Sequence, residues 1–283
     1  MSQRQADAWL VFVTLIWGST FVVVKGALNS VGPFGFVTLR FLLAALVLGV
    51  LFWNRVRTSS RPEILAGVLI GVWLFAGYIL QTIGLQYTTT SNAGFITGLS
   101  VVLVPLFSTV FLRRPPSRAA LAGVLLATAG LALLSLHGDL SFAPGDLWVL
   151  GGAISFALHI TTIAHFAPRM DPLRLAFFQV ITTGLVSLAL APHFETLTLA
   201  LPAPAWAAIA FTGVVATALV LSVQTTAQQF TSPTHTAVIF ALEPVFAALF
   251  GFLLAGDRLG TRELLGCALI LAGMLAAELG DGK

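Results

Sequence analysis

Long apolar runs broken by short polar clusters dominate the chain. No charged residue occurs from Ile64 to Leu112, or from Thr196 to Leu242. At ~20 residues per crossing of a ~30 Å hydrocarbon core, each stretch holds two transmembrane helices. With breaks placed at Pro, Gly, charges and polar clusters, the pattern predicts ten spans: 8–25, 34–53, 64–85, 92–112, 119–137, 146–166, 173–191, 206–227, 234–255 and 262–280. The joining loops are too short for a soluble domain. The predicted fold is an all-α membrane protein of ten transmembrane helices.

Charge gives those helices a direction. Only 9% of the residues are charged, against ~25% in an average soluble domain. The pI near 9.6 invites a nucleic-acid reading. The net charge, however, is only +3, and the basic residues cluster between apolar runs as topology signals do. No nucleic-acid partner is expected. Arg4, Arg55, Arg57, Arg61, Arg113, Arg114, Arg118, Arg169, Arg174 and Lys283 fall on one side. Lys25, Arg258 and Arg262 fall on the other, and Arg40 lies inside the second span. Because Lys and Arg concentrate on the cytoplasmic side, both termini are expected there. The apolar run Ala8–Val24 is long for a secretory signal, and Lys25 follows where a small-residue cleavage site would stand. It reads as a retained first helix.

The sequence also matches itself at one offset. Asp7, Trp9, Pro33 and Pro105 meet Asp146, Trp148, Pro172 and Pro244, each 139 residues on. Beyond Pro244 the offset becomes 143, where Gly123 and Gly130 meet Gly266 and Gly273, with the extra residues near Gly256–Gly260. Five spans per copy is an odd number, so the second copy enters the membrane from the opposite side. Two inverted five-helix repeats, 1–139 and 140–283, are predicted, an architecture common among secondary transporters.

At this point the chain resembles the drug/metabolite transporter superfamily, in particular its EamA-type ten-helix members. The residues that carry the likeness are Trp17-Gly18-Ser19-Thr20-Phe21, Arg40-Phe41, Thr231-Ser232-Pro233 and Leu242-Glu243-Pro244-Val245, with Gly256-Asp257, Gly266 and Gly273. The general look is similar to bacterial exporters of amino acids. The resemblance implies a basket-like fold whose central cavity is lined by spans 1, 3, 4, 6, 8 and 9, with spans 5 and 10 in support.

Candidate residues follow from intramembrane polarity and aromaticity. Glu243 is a carboxylate deep in an apolar run, costly to bury ionised. It reads equally as a polar cavity residue or proton carrier, or as a cap for the backbone broken at Pro244. It shares a stripe with His235 and Ile239 at spacings of four and eight. Trp17 and Phe21 lie on one face of span 1; their repeat mates, Phe156 and Ile160, lie in span 6 with His159. Two facing aromatic shelves would suit an apolar side chain, although most aromatics in such helices simply pack. Tyr78 with Gln81, Asn92 with Phe95, and Gln224 with Thr217 and Gln228 are polar or aromatic groups that either join helices or meet a head group. Pro105 and Pro244 are expected hinges that gate opposite faces. Lys25 is expected to snorkel to an interface, and Arg40 to anchor its helix or meet a carboxylate. Glycine pairs such as Gly67/Gly71 and Gly94/Gly98, and Ala247/Gly251/Ala255, are expected at close helix contacts. His137 reads as a loop residue. Cys267 stands alone, and His159 and His165 share no helix face, so no disulfide, metal or cofactor is expected.

The predicted function is export of amino acids with large apolar or aromatic side chains, or of similar small metabolites, by a monomer working through alternating access. Exporters of other metabolites or drugs are the alternative, and a channel or an integral-membrane enzyme the rival from another class. No phosphate-cradling GxxxxGK[ST] run supports ATP-driven transport, and no acid–base–nucleophile constellation supports an enzyme.

Overall fold

The structure, a computed structural model, describes residues 1–113, 115–135, 143–250, 253 and 260–280. Arg114, His137, Gly251, Ala255, Gly256, Asp257, Arg258 and Lys283, and the 139/140 repeat boundary, lie outside them. Besides a single turn at Trp53–Val56, ten long helical segments occur among the described residues. These are α1 (Gln3–Ala27), α2 (Pro33–Leu51), α3 (Arg61–Tyr87), α4 (Asn92–Leu112), α6 (Pro144–Arg169), α7 (Pro172–Phe194), α8 (Ala203–Ala227) and α9 (Pro233–Phe250), all long and apolar enough to cross a membrane. The other two are α5 (Arg118–Ser135) and α10 (Thr261–Gly280). The chain is thus a multi-pass, all-helical membrane protein.

Local chemistry sets the helix starts. Pro33, Pro144, Pro172 and Pro233 each sit in the first turn, where the missing N–H costs nothing and φ is already helical. Ser60 and Glu63 form a capping box at α3, and Asp171 accepts from the backbone N–H groups of Leu173 and Arg174 at α7. Both satisfy donors that a helix leaves unpaired.

The helices pack in a pattern that survives exchange of the two repeats. The α3–α6 contact has its counterpart in α8–α1, α4–α6 in α9–α1, and α3–α7 in α8–α2. The α2–α7, α4–α9 and α5–α10 contacts each map onto themselves. Lipid tails give apolar helices no hydrophobic reason to associate, so close backbone approach has to hold them. At α5–α10 a Cβ on Gly123 would sit 2.6 Å from the Gly273 carbonyl oxygen, and one on Gly130 would sit 2.6 Å from that of Gly266. Each glycine thus meets the repeat mate of the other, Gly273 being the mate of Gly130 and Gly266 that of Gly123, the crossed pairing a two-fold axis produces.

Contacts at helix ends sort the molecule into two faces. On the amino-terminal face Arg55 pairs with Asp171 at 3.0 Å and Arg174 with Glu63 at 2.8 Å. On the opposite face Lys25 donates to the Thr88 carbonyl at 2.9 Å, the Thr88 hydroxyl donates to Asp146 at 2.6 Å, and Glu195 accepts from the Gly35 N–H. Lys25 therefore sits at the carbonyl end of α3, where a cation is favoured.

Candidate functional site

Irregularities in α1, α9 and α8 shape the site. In α1 the helix runs Gln3–Gly18, pauses at Ser19 and resumes at Thr20–Ala27. The Ser19 and Thr20 hydroxyls donate to the carbonyls of Ile16 and Trp17 at 2.7 and 2.8 Å, drawing them from the helical ladder. Gly18 makes the joint possible. A Cβ there would lie 2.9 Å from the Glu243 carbonyl oxygen and 2.8 Å from Phe246 Cβ, so α1 seats directly on the turn of α9. That turn, Ala241–Leu242, separates Pro233–Phe240 from Glu243–Phe250, beside a proline that has no N–H to give. In α8 the backbone widens into a π-helical stretch, Val214–Leu219, a feature frequent at functional sites. There the Ala216 carbonyl accepts from the Trp17 indole at 3.1 Å and from Arg40 Nη2 at 3.3 Å.

Between these breaks lies a central cavity with about 800 Å³ of empty space, part of it open to solvent. Trp17 and Phe21 of α1, Tyr78 and Gln81 of α3, Phe156 and His159 of α6, Gln224 of α8, and Glu243 and Pro244 of α9 all line it. Both predicted aromatic shelves therefore face one space, joined by Ile160 and Phe240. The rings touch edge to face, Tyr78 on Phe156 and Trp17 on Phe240, each with centroids 5.2 Å apart. That is a favoured arrangement for aromatic pairs.

Polar groups enter the wall in linked sets. Gln81 Nε2 donates to Thr97 Oγ1 at 2.9 Å. His159 Nε2 lies 2.7 Å from Gln179 Oε1, and Gln179 Nε2 donates onward to Thr225 at 2.9 Å. Gln224 Nε2 donates to Gln228 Oε1 at 3.1 Å, and Gln228 donates to the Ile160 carbonyl. Arg40, 3% exposed, also faces the cavity. Its Nε donates to Thr217 Oγ1 at 2.6 Å, and its guanidinium lies 4.6 Å from the Tyr78 ring centroid, a cation–π distance. Among the described residues no carboxylate pairs with it.

Several predicted residues lie elsewhere. The His235–Ile239–Glu243 stripe is interrupted because the helix stops at Phe240. Ile239 is buried in the apolar core, and His235 turns to the amino-terminal face, where Nδ1 lies 3.0 Å from Gln3 Nε2 and 4.0 Å from Asp7. Asn92 belongs to the first turn of α4, its N–H bonded to the Thr89 hydroxyl, and Phe95 packs against the core. Pro105 lies within the unbroken helix Ser100–Leu112; the pause in α4 comes earlier, at Leu99, unlike the break beside Pro244. Gly94 makes no close packing contact: a Cβ there would meet nothing within 4 Å, because it opens on the cavity. Sequence reasoning left Arg40, Thr20, Thr97 and Phe240 out of the site. The signal for Arg40 was present, a lone guanidinium inside an apolar helix. The signals for Thr20, Thr97 and Phe240 were not, since such residues are common in any span. Among the described residues no cluster of metal-ligating side chains occurs.

The two ends of the cavity differ. Its walls reach Val24, Leu85 and Gly94, toward the face opposite the amino terminus. Toward the amino-terminal face the space between α1, α4, α8 and α9 is filled by buried Leu10, Val13, Val104, Val220 and Val238.

Comparison with known proteins agrees with this architecture. The model of the EamA-like transporter family matches twice, over residues 4–136 and 143–277. An uncharacterized transporter of Archaeoglobus fulgidus is 36% identical over 97% of this chain and 86% of its own length. The uncharacterized transporter YyaM of Bacillus subtilis is 25% identical over 95% of this chain and 92% of its own. A solved crystal structure with 21% identity superposes with a TM-score of 0.82 over 99% of both chains, a likeness of fold. With one family model recurring in both halves of a ten-helix, two-repeat fold, the chain belongs to the EamA-like transporter family and is a membrane transporter.

Proposed function

We propose that the protein exports amino acids with large apolar or aromatic side chains, exposing the central cavity alternately to the two faces. The observation that carries this reading is the cavity itself. It lies between the repeats, is walled by the rings of Trp17, Phe21, Tyr78, Phe156 and Phe240, and holds a few fixed polar groups. That combination is what a pocket for a part-apolar, part-polar small molecule needs. Its closure toward the amino terminus and opening toward the other face match one of the two end states of alternating access. The clustering of Lys and Arg supports an amino-terminal face in the cytoplasm of a bacterial plasma membrane, and in that orientation this conformation releases cargo outward. Each repeat contributes one shelf, Trp17 and Phe21 from the first and Phe156 from the second.

Reconstitution into proteoliposomes with a panel of labelled amino acids tests the proposal. Saturable uptake and counterflow of Phe, Trp, Leu or Met, exceeding that of Gly or Asp, is the expected result. Uptake of none of them, beside robust uptake of an unrelated solute, rejects it, and flux without counterflow turns the reading to a channel.

A further inference from the structure

The cavity carries a guanidinium and a carboxyl group that form no ion pair with each other. Arg40 comes from α2 and Glu243 from the broken turn of α9, and both line the same space. Among the described residues they form no ion pair with each other, and the Glu243 carboxylate makes no hydrogen bond. Arg40 is partly satisfied: Nε and Nη2 are directed to Thr217 and to the Ala216 carbonyl and Tyr78 hydroxyl. Its Nη1 has no hydrogen-bond partner among the described residues.

We propose that these two groups form a head-group clamp: Arg40 Nη1 grips the carboxylate of the cargo, and Glu243 receives its ammonium. An isolated charge in a low-dielectric interior is costly, and it is relieved best by an opposite charge held in a fixed geometry. Two such charges fixed on different helices and kept apart are neutralised together by one molecule carrying both signs, a zwitterion. A cationic amine satisfies only Glu243, and an organic anion only Arg40; each leaves the other group unpaired. The guanidinium is suited to the carboxylate end, because its planar fork is held in place before cargo arrives. The hold comes from the π-helical stretch of α8, whose Ala216 carbonyl accepts from both Arg40 and the Trp17 indole. The polar grip and one aromatic wall are therefore set by a single backbone feature. Neither charge is repeated in the other half, where Val104 and Gln179 stand at the matching positions, so the cavity binds the cargo head group in one orientation.

The clamp rests on the amino-acid reading above, and the experiment separates the two. Proteoliposome uptake of phenylalanine is compared with that of phenylalaninamide, which lacks the carboxylate, and hydrocinnamate, which lacks the ammonium. Wild type should move phenylalanine and neither analogue. Arg40→Gln should lower phenylalanine uptake on the order of 100-fold, as expected when a polar site loses its partner group, while Glu243→Gln should do the same and relieve the exclusion of hydrocinnamate. Arg40→Lys keeps the charge without the fork and should recover part of the loss. Quenching of tryptophan fluorescence by phenylalanine in detergent, run on each variant after size-exclusion, reports binding where transport has failed. Equal transport of phenylalanine and its amide by wild type, or an unchanged KM for phenylalanine in Arg40→Gln, overturns the clamp and leaves the exporter reading standing. If the panel instead yields a solute without a carboxylate, its undiminished transport by Arg40→Gln overturns the clamp as well.

Discussion

Across the α5–α10 contact each half gives what it receives: Gly123 meets Gly273 and Gly130 meets Gly266, carbonyl against Cα. Across the cavity the halves differ. Glu243 stands opposite Val104 in register, Arg40 opposite Gln179, and Tyr78 opposite Thr217. The aromatic shelves lie between these extremes, with Trp17 matched by Phe156 and Phe21 by Ile160. Symmetry is kept where two inverted copies need only to pack, and it is lost around the cavity, where the proposed cargo with two different ends would be held. A membrane pair is held by close approach, which glycine alone permits on both sides. A cargo with two different ends cannot be read by two identical walls.

The largest effect should come from breaking the symmetric contact. Leucine at Gly130 or Gly266 drives a side chain into the facing backbone, and overpacking of this kind costs about 3 kcal/mol. The thermal midpoint of the purified protein should fall steeply, and by similar amounts for both substitutions. Widely different losses would break the two-fold description of this pair.

A smaller, selective effect is expected at the shelves. Trp17→Ala and Phe156→Ala should each raise the KM for phenylalanine roughly three- to tenfold, the range that aromatic contacts of 0.5–1.5 kcal/mol supply. The KM for alanine should hardly change in the uptake assay. Trp17→Ala should be the more severe, because its indole also donates to Ala216. A uniform loss for both amino acids would reduce the shelves to packing.

The smallest effect belongs to Glu195, whose carboxylate accepts from Gly35 at the amino end of α2. Glu195→Gln removes a favourable charge at a helix start, worth about 0.3–1 kcal/mol. The melting midpoint should slip slightly while the amino-acid panel keeps its order.

How much of this was legible in the sequence follows the same division. The helices announce themselves through charge-free runs such as Ile64–Leu112, and the register through Asp7/Asp146 and Pro105/Pro244. The shelf residues were also readable, because helical spacing fixes which side chains share a face. Breaks within helices were not. Pro244 marks a break, yet the similarly placed Pro105 lies in continuous helix, and no residue pattern signals the π-turn at Val214–Leu219. His235 was assigned to the cavity by extending a stripe through a turn that stops it. The role of Arg40 depends on contacts with Ala216 and Thr217 in the π-helical stretch, so its lone charge drew attention without indicating its partner.

Alternating exposure of one chamber is best tested by the accessibility of single cysteines, with Cys267→Ser as background. Gly94→Cys would lie in the wall toward the open face, where a Cβ meets nothing, and Val13→Cys in the sealed half of α1. The account predicts opposite responses to a membrane-impermeant thiol reagent. Conditions that protect Gly94→Cys should expose Val13→Cys to the amino-terminal side, and saturating cargo should change the balance between them. Simultaneous labelling of both from the two sides, or a Val13→Cys that never reacts while transport proceeds, would contradict it.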